Sequence, residues 1–380
     1  MRSLTIRALW SLSLCSLATA AACADGPSGP PAKITVSTTR TPELIAFRDG
    51  PDADWHVPAA TAPGTYELEV HGPYVVTVVC DDGRRVGTRQ IARTPDDERE
   101  LAMPCGQALT NPVTVTGTMV QPGAVALGRQ QAMSSSPGWQ IRLTTTAAPA
   151  PHDLIATSGD RIAIRRDQVF ATDTADLAID LTQEGAALER VAFTAPDAGA
   201  AEDVHVLVEL ETATTLAGMV YSGAPAGAKV APAAVLRETD RQRVSLFAVA
   251  GDAYRFTGRL HRAGAPTAFA LPAPLAAELG SAGGAVTASW RALPAHDRLV
   301  LSAFGGTATS PSRYHELEES QRFLAATGET EAALESDLPG YLPAWRADLG
   351  QEHLISVAAY GREAEEDRGS VISKIQSGLR

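Results

Sequence analysis

The residues best placed to do chemistry in this 380-residue chain fall in a few short stretches. His315-Glu316-Leu317-Glu318-Glu319 begins like the helix on which zinc hydrolases hold a metal and activate water. Glu319 stands where the second histidine belongs, so the stretch reads as a solvated acidic face. Asp49-Gly50-Pro51-Asp52-Ala53-Asp54 has the oxygen spacing of a calcium loop, but Ala60 occupies the closing glutamate position and Pro51 stiffens the loop. A hairpin turn suits those residues better. The eight histidines (His56, His71, His152, His205, His261, His296, His315, His353) form no His-x-His or His-x3-His pair. The sequence has no Gly-x-Ser-x-Gly elbow, phosphate-cradling glycine loop or dinucleotide fingerprint. Carboxylates are plentiful enough for a glycosidase pair, yet nothing singles out two of them. The reading assigns no catalytic, cofactor-binding or metal-ligating residue.

Tryptophans are the other candidates. Trp55, Trp139 and Trp345 lie beside the turn residues Asp54, Gly138 and Pro343. A loop tryptophan can stack on a sugar or on a partner's surface, whereas one that plugs the end of a β-sandwich does neither. All three are carried forward as candidate ligand contacts.

The four cysteines divide by place. Arg2 and Arg7 precede an apolar run from Ala8 to Ala18, and Ala20-Ala21-Ala22 leads into Cys23. This is the layout of an export signal, too short to span a bilayer. It resembles the signal of bacterial lipoproteins, which implies cleavage before Cys23, lipidation of that thiol (palmitate among its acyl groups) and attachment to a membrane. The three alanines equally suit the ordinary signal peptidase, which would leave Cys23 a free thiol. Cysteine parity favours the lipid: Cys15 leaves with the signal, Cys80 and Cys105 are placed to pair, and Cys23 is the odd one. In such lipoproteins an Asp directly after the cysteine retains the protein at the inner membrane. Ala24 holds that place here, which leaves outer-membrane or surface sorting open beside the periplasmic face.

Cleavage leaves about 358 residues, room for two to four domains. A net charge of −12 argues against nucleic acid and against a basic patch on anionic lipid. No apolar run after the signal reaches the ~20 residues of a spanning helix. Ala24 to Lys33 is rich in Pro, Gly and Ser and reads as a spacer.

From Ile34 onward the dominant period is two, the mark of half-buried strands. Tyr66, Leu68 and Val70 alternate with Glu67, Glu69 and His71. Tyr74, Val76, Val78 and Cys80 share one strand face, and Leu101, Met103 and Cys105 share another. Both cysteines thus sit on apolar faces, and in an exported chain a buried Cys80–Cys105 disulfide between neighbouring strands is expected. Further alternation runs through Arg161–Ile164, Asp176–Leu181, Val204–Leu210, Ser245–Val249 and Tyr254–Phe256. Ala/Gly/Pro-rich seams fall at 195–203, 222–233 and 263–284. The acidic stretch Tyr314 to Leu334 is read as an insertion with a short helix, Leu317 and Leu324 on one face.

Pro63-Gly64-Thr65-Tyr66-Glu67-Leu68-Glu69-Val70 resembles the hairpin entry of carboxypeptidase-regulatory-like (prealbumin-like) domains. Val286 to Leu301, with Trp290 and Pro294, resembles the B-to-C region of a fibronectin type III domain, with Leu299 in place of the usual Tyr. Ile355 to Tyr360 and Gly369-Ser370 resemble its F and G strands. The spacing of short strands and turn residues predicts an all-β chain of small sandwiches in series: signal 1–22, anchor and linker 23–33, then 34–106 with the disulfide, 112–195, 204–275 and 284–380, the last resembling fibronectin type III. The expected role is non-catalytic, in adhesion or assembly at the cell envelope, with a protein or glycan partner. The alternatives are a carbohydrate-binding module using the tryptophans and a hydrolase with an unrecognised carboxylate pair.

Overall fold

The computed structural model describes residues 30–83, 85–105, 112–134, 138–144, 150–216, 218–262, 264–282, 285–305, 312–346, 353–362 and 370–379. Cys23, the signal 1–22 and the linker as far as residue 29 lie outside the described residues. Strand accounts for 59% and helix for 7%, so the fold is all-β.

The first segment makes β1 (Ala32–Ser37), β2 (Leu44–Asp49), β3 (Ala60–Ala62), β4 (Thr65–Val70), β5 (Tyr74–Asp81), β6 (Arg85–Arg93) and β7 (Glu100–Ala102). The second makes β8 (Pro112–Met119), β9 (Gly123–Leu127), β10 (Gln130–Ser134), β11 (Gly138–Thr144), β12 (Pro151–Ser158), β13 (Arg161–Val169), β14 (Thr174–Ile179), the turn α1 (Leu181–Glu184) and β15 (Ala186–Ala187). Then come β16 (Glu189–Val191), β17 (Asp203–Glu211), β18 (Gly218–Gly223), β19 (Ala228–Val230), β20 (Arg241–Ala250) and β21 (Ala253–His261). The last segment holds β22 (Ala276–Ala282), β23 (Ala285–Ala292), β24 (Arg298–Gly305), β25 (Ser312–Ser320), α2 (Gln321–Thr327), β26 (Glu331–Leu334), β27 (His353–Arg362) and β28 (Ser370–Leu379).

One sheet organises the chain. Eleven strands run in the order β18-β17-β20-β21-β28-β27-β24-β25-β6-β5-β2, drawing on the first, third and last segments. The antiparallel β21–β28 pair joins the third segment to the last, and the parallel β25–β6 pair joins the last to the first. Four smaller sheets pack on it or on one another, and the two-stranded β16-β19 ribbon completes the set.

At one end, β3-β4-β1-β7 faces β2-β5-β6 across a core of Ile34, Val36, Tyr66, Leu68, Tyr74, Val76 and Ile91. The Cys80–Cys105 disulfide is present, with Cα atoms 5.2 Å apart. It ties β5 to the segment after β7, so it clamps the two sheets together and does not join neighbours within one sheet. With its cysteines 25 positions apart in sequence, the bridge contributes about 3 kcal/mol in the chain-entropy model.

The opposite face of β5 is buried as well. Leu338, Tyr341 and Trp345 cover Leu44, Val79 and Val86, and Tyr341 bonds Thr88 Oγ1 at 2.9 Å. That second cover explains why Tyr74–Val79 is apolar at every position but Thr77, since a strand with both faces buried loses its alternation. β12 is the same case. Its sheet (β10-β9-β12-β13-β15) encloses one core with β11-β8-β14 and turns Ala126, Ile155 and Ile162 outward against Val206, Val208 and Leu246 of the long sheet. The Arg166 guanidinium pins these layers, 2.9 Å from Asp153 and 2.5 Å from Asp240.

In the last segment β22-β23-β26 packs over β27, β24 and β25. Trp290, Leu299, Leu301, Leu317, Phe323 and Val357 fill the space between. Several sequence expectations need correction. β1 begins at Ala32, just inside the stretch read as spacer, and β22 lies within the 263–284 seam. Leu181 sits in the α1 turn, capped by Asp180, and not in a strand. The 314–334 insertion starts with a nine-residue strand, β25, so Leu317 and Leu324 belong to different elements, a strand and a helix.

Candidate functional site: a groove along the β6–β25 seam

β25 carries few apolar residues, but its strand alternation sorts them cleanly. His315, Leu317 and Glu319 face inward, all three buried, opposite Ala303, Leu301 and Leu299 of β24. Tyr314, Glu316, Glu318 and Ser320 face the other way, alongside Arg89, Ile91 and Arg93 of β6. The His-Glu motif is therefore split between two sides of a sheet. A helix would have put its ends on one face, and the metal reading depended on that. Among the described residues no group of three His, Cys, Asp or Glu side chains is placed to hold a metal.

The outward face floors a groove walled by β7 and the residues flanking it, in two connected hollows of about 800 and 640 Å³ that share Arg89. In the larger, Glu318 is the hub. Arg93 Nη2 donates to its Oε1, Arg298 Nη1 donates to Oε2 at 3.1 Å, and Arg89 Nη2 lies 3.6 Å from Oε2. The Arg298 guanidinium also stacks 4.9 Å from the centre of the Tyr360 ring. The rim is acidic: Asp96, Asp97, Glu98 and Glu100. Asp97 is fixed there by the Thr94 amide at 2.8 Å and the Ser320 hydroxyl at 2.7 Å.

The smaller hollow is more aromatic. Phe304 of β24 pairs in register with Tyr314 of β25 on one side and Leu354 of β27 on the other. These three are 51%, 42% and 40% exposed. The next register partner is Gly87 of β6, where an added Cβ would meet no atom within 4 Å. The row thus ends in a notch. Tyr314 donates its hydroxyl to Glu316 Oε2, and Glu316 Oε1 lies 3.2 Å from Arg89 Nε. Burial, and then the bond to Glu316, push the Tyr314 hydroxyl well above the usual tyrosine range.

The carboxyl with the most altered acidity is not in the groove. Glu319 points into the core of the last segment, and its pKa is pushed up to about 8, first by burial and then by the neighbouring charge of Glu329. Its Oε2 accepts no hydrogen bond among the described residues.

None of the candidate tryptophans lines the groove. Trp139 lies on β11, not in a loop, and is buried where its register partner Gly117 makes room for the indole. Trp345 is buried against Tyr341. Trp55 is half-buried, with the Arg48 guanidinium 5.1 Å over its ring. Trp139 and Trp345 plug the ends of cores, so the sugar-platform expectation is corrected for both. The groove residues gave little signal in sequence, because Arg313 to Ser320 holds a single aliphatic residue, Leu317. No protein-family model matches the chain, and no curated protein matches it.

Proposed function

We propose that this is an exported, lipid-anchored protein of the bacterial cell envelope that binds a partner without catalysis, through the groove along the β6–β25 seam. One observation carries the non-catalytic reading. The carboxylates on the outward face of β25, Glu316 and Glu318, are each paired with guanidinium groups, while Glu319, its pKa raised to about 8, faces the core. A general acid must reach its substrate's proton, and Glu319 has the wrong side of the sheet at its disposal.

Anchorage rests on the Ala20-Ala21-Ala22-Cys23 junction and on cysteine parity, now supported by the pairing of Cys80 with Cys105. The fibronectin-type-III-like reading of 284–380 is supported by the order β28-β27-β24-β25 facing β22-β23-β26, with Trp290 in the core between them. The prealbumin-like reading of 34–106 is supported by the turn at Gly64, whose positive φ and 2.6 Å approach of a built Cβ to the Thr38 carbonyl require glycine, leading into buried Tyr66. Of the four proposed units, 34–106, 204–275 and 284–380 contribute strands to one sheet, and 112–195 packs against it.

Two measurements in the native host test the proposal. Palmitate labelling is expected in the wild type and absent from Cys23→Ala; label persisting in that variant contradicts the anchor. A photo-crosslinking residue at Ser302, the register partner of Glu316, is expected to yield discrete envelope adducts that the same probe at exposed Val120 does not. Equal or absent adducts at Ser302 contradict the groove as the binding face.

A further inference from the structure

The aromatic end of the groove has a chemistry of its own. Three of the largest exposed apolar side chains in the molecule sit side by side on adjacent strands, and they are neighbours by register. Tyr314 is tethered by its hydroxyl to the residue two places along the same strand face. That bond holds the hydroxyl end of the ring toward Glu316, along the strand. Beside the ring, Glu316 and Arg89 are paired with each other, so acceptors and donors stand side by side. Ser302 and Ser356, hydroxyls 2.9 Å apart, continue the Glu316 row by register.

We propose that Phe304 and Tyr314, with Glu316, Arg89 and the notch at Gly87, form a subsite for a neutral saccharide. The proposal rests on the binding role argued above and names its ligand class. A sugar ring offers an apolar face to an aromatic plane and, at its edge, vicinal hydroxyls that donate and accept together. Such a ligand pairs with Glu316 and Arg89 at once, whereas a charged ligand is attracted by one and repelled by the other. The floor from Tyr314 to Ser320 is about 20 Å long at ~3.3 Å per residue, which suits an extended chain of several rings. A peptide adding to the free edge of β7 is disfavoured: β7 has only three residues, and Pro104 just beyond it has no N–H to give.

The test is calorimetric titration of the full-length protein with cello-, xylo-, malto- and chito-tetraose, and with a galacturonic acid tetramer as the charged counterpart. At least one neutral series should bind. Tyr314→Ala and Phe304→Ala should each weaken it tenfold or more, and Gly87→Leu, which fills the notch without meeting a neighbour at its Cβ, should do the same. Tyr314→Phe keeps the ring and loses only the tether, so it should fall between wild type and Tyr314→Ala. Met133→Ala, exposed on a different sheet, should change nothing. Failure of every neutral series, preference for the charged tetramer, or binding unmoved by Tyr314→Ala and Gly87→Leu overturns the proposal. If saccharides fail while the Ser302 cross-link forms with an envelope protein, the saccharide is wrong and the binding role stands; if both fail, both fall.

Discussion

At the scale of single residues, Glu319 makes the sharpest claim. Its folded-state pKa near 8 lies above the ordinary 4.5, so the folded chain keeps a proton that the unfolded chain gives up. The resulting stability is fully present below about pH 4.5, declines as pH rises, and is lost once pH passes about 8. The swing amounts to a few kcal/mol at 1.36 kcal/mol per pKa unit. Burial pushes Glu329 upward too, and it feels Arg48, Glu335 and Asp52, so the two carboxyls titrate in one neighbourhood. Urea midpoints at pH 5, 7 and 9 check this: the wild type should lose stability across the series, and Glu319→Gln should flatten the loss and overtake it at pH 9. Parallel profiles would contradict a buried, proton-holding Glu319. The sequence could not announce this residue. Glu319 looks like one more acid in an acidic run, and only the parity of β25 separates it from Glu318, whose charge meets three arginines on the other face.

At the scale of elements, legibility followed periodicity. β4, β5, β13, β17, β20 and β21 all fall where alternating or continuous apolar runs placed strands. The cysteines, on the apolar faces assigned to them, are bridged. β25 and β22 escaped because their composition is polar or small, and their strand character comes from neighbours: β25 is held between β24 and β6, β22 against β23. Tertiary pairing overrides weak local preference in this way. The layer contact between the second and third segments was equally silent in sequence, and it turns on Arg166. Asp153 and Asp240 are almost wholly buried beside it. Arg166→Met should strand two buried carboxylates and cost roughly 3–5 kcal/mol in chemical unfolding. A loss below about 1 kcal/mol would mean that the layers are held by the apolar contact of Ile155 and Ile162 alone.

At the scale of the whole molecule, the departure from a simple string of sandwiches is the eleven-stranded sheet. Its two long-range joints, β21–β28 and β25–β6, pair strands far apart in sequence, and no local pattern encodes such partners. The groove exists because of the second joint: β6 brings Arg89, Arg93 and the Gly87 notch, and β25 brings Tyr314 and Glu318. Everything argued about binding depends on those two strands forming one floor. Native-state hydrogen exchange on the full-length protein tests it most directly, because paired strands open together. Peptides covering 85–93 and 312–320 should exchange slowly, with closely matched protection that falls together in mild denaturant. Rapid exchange of 312–320 while 85–93 stays protected would show the seam open and would contradict the account.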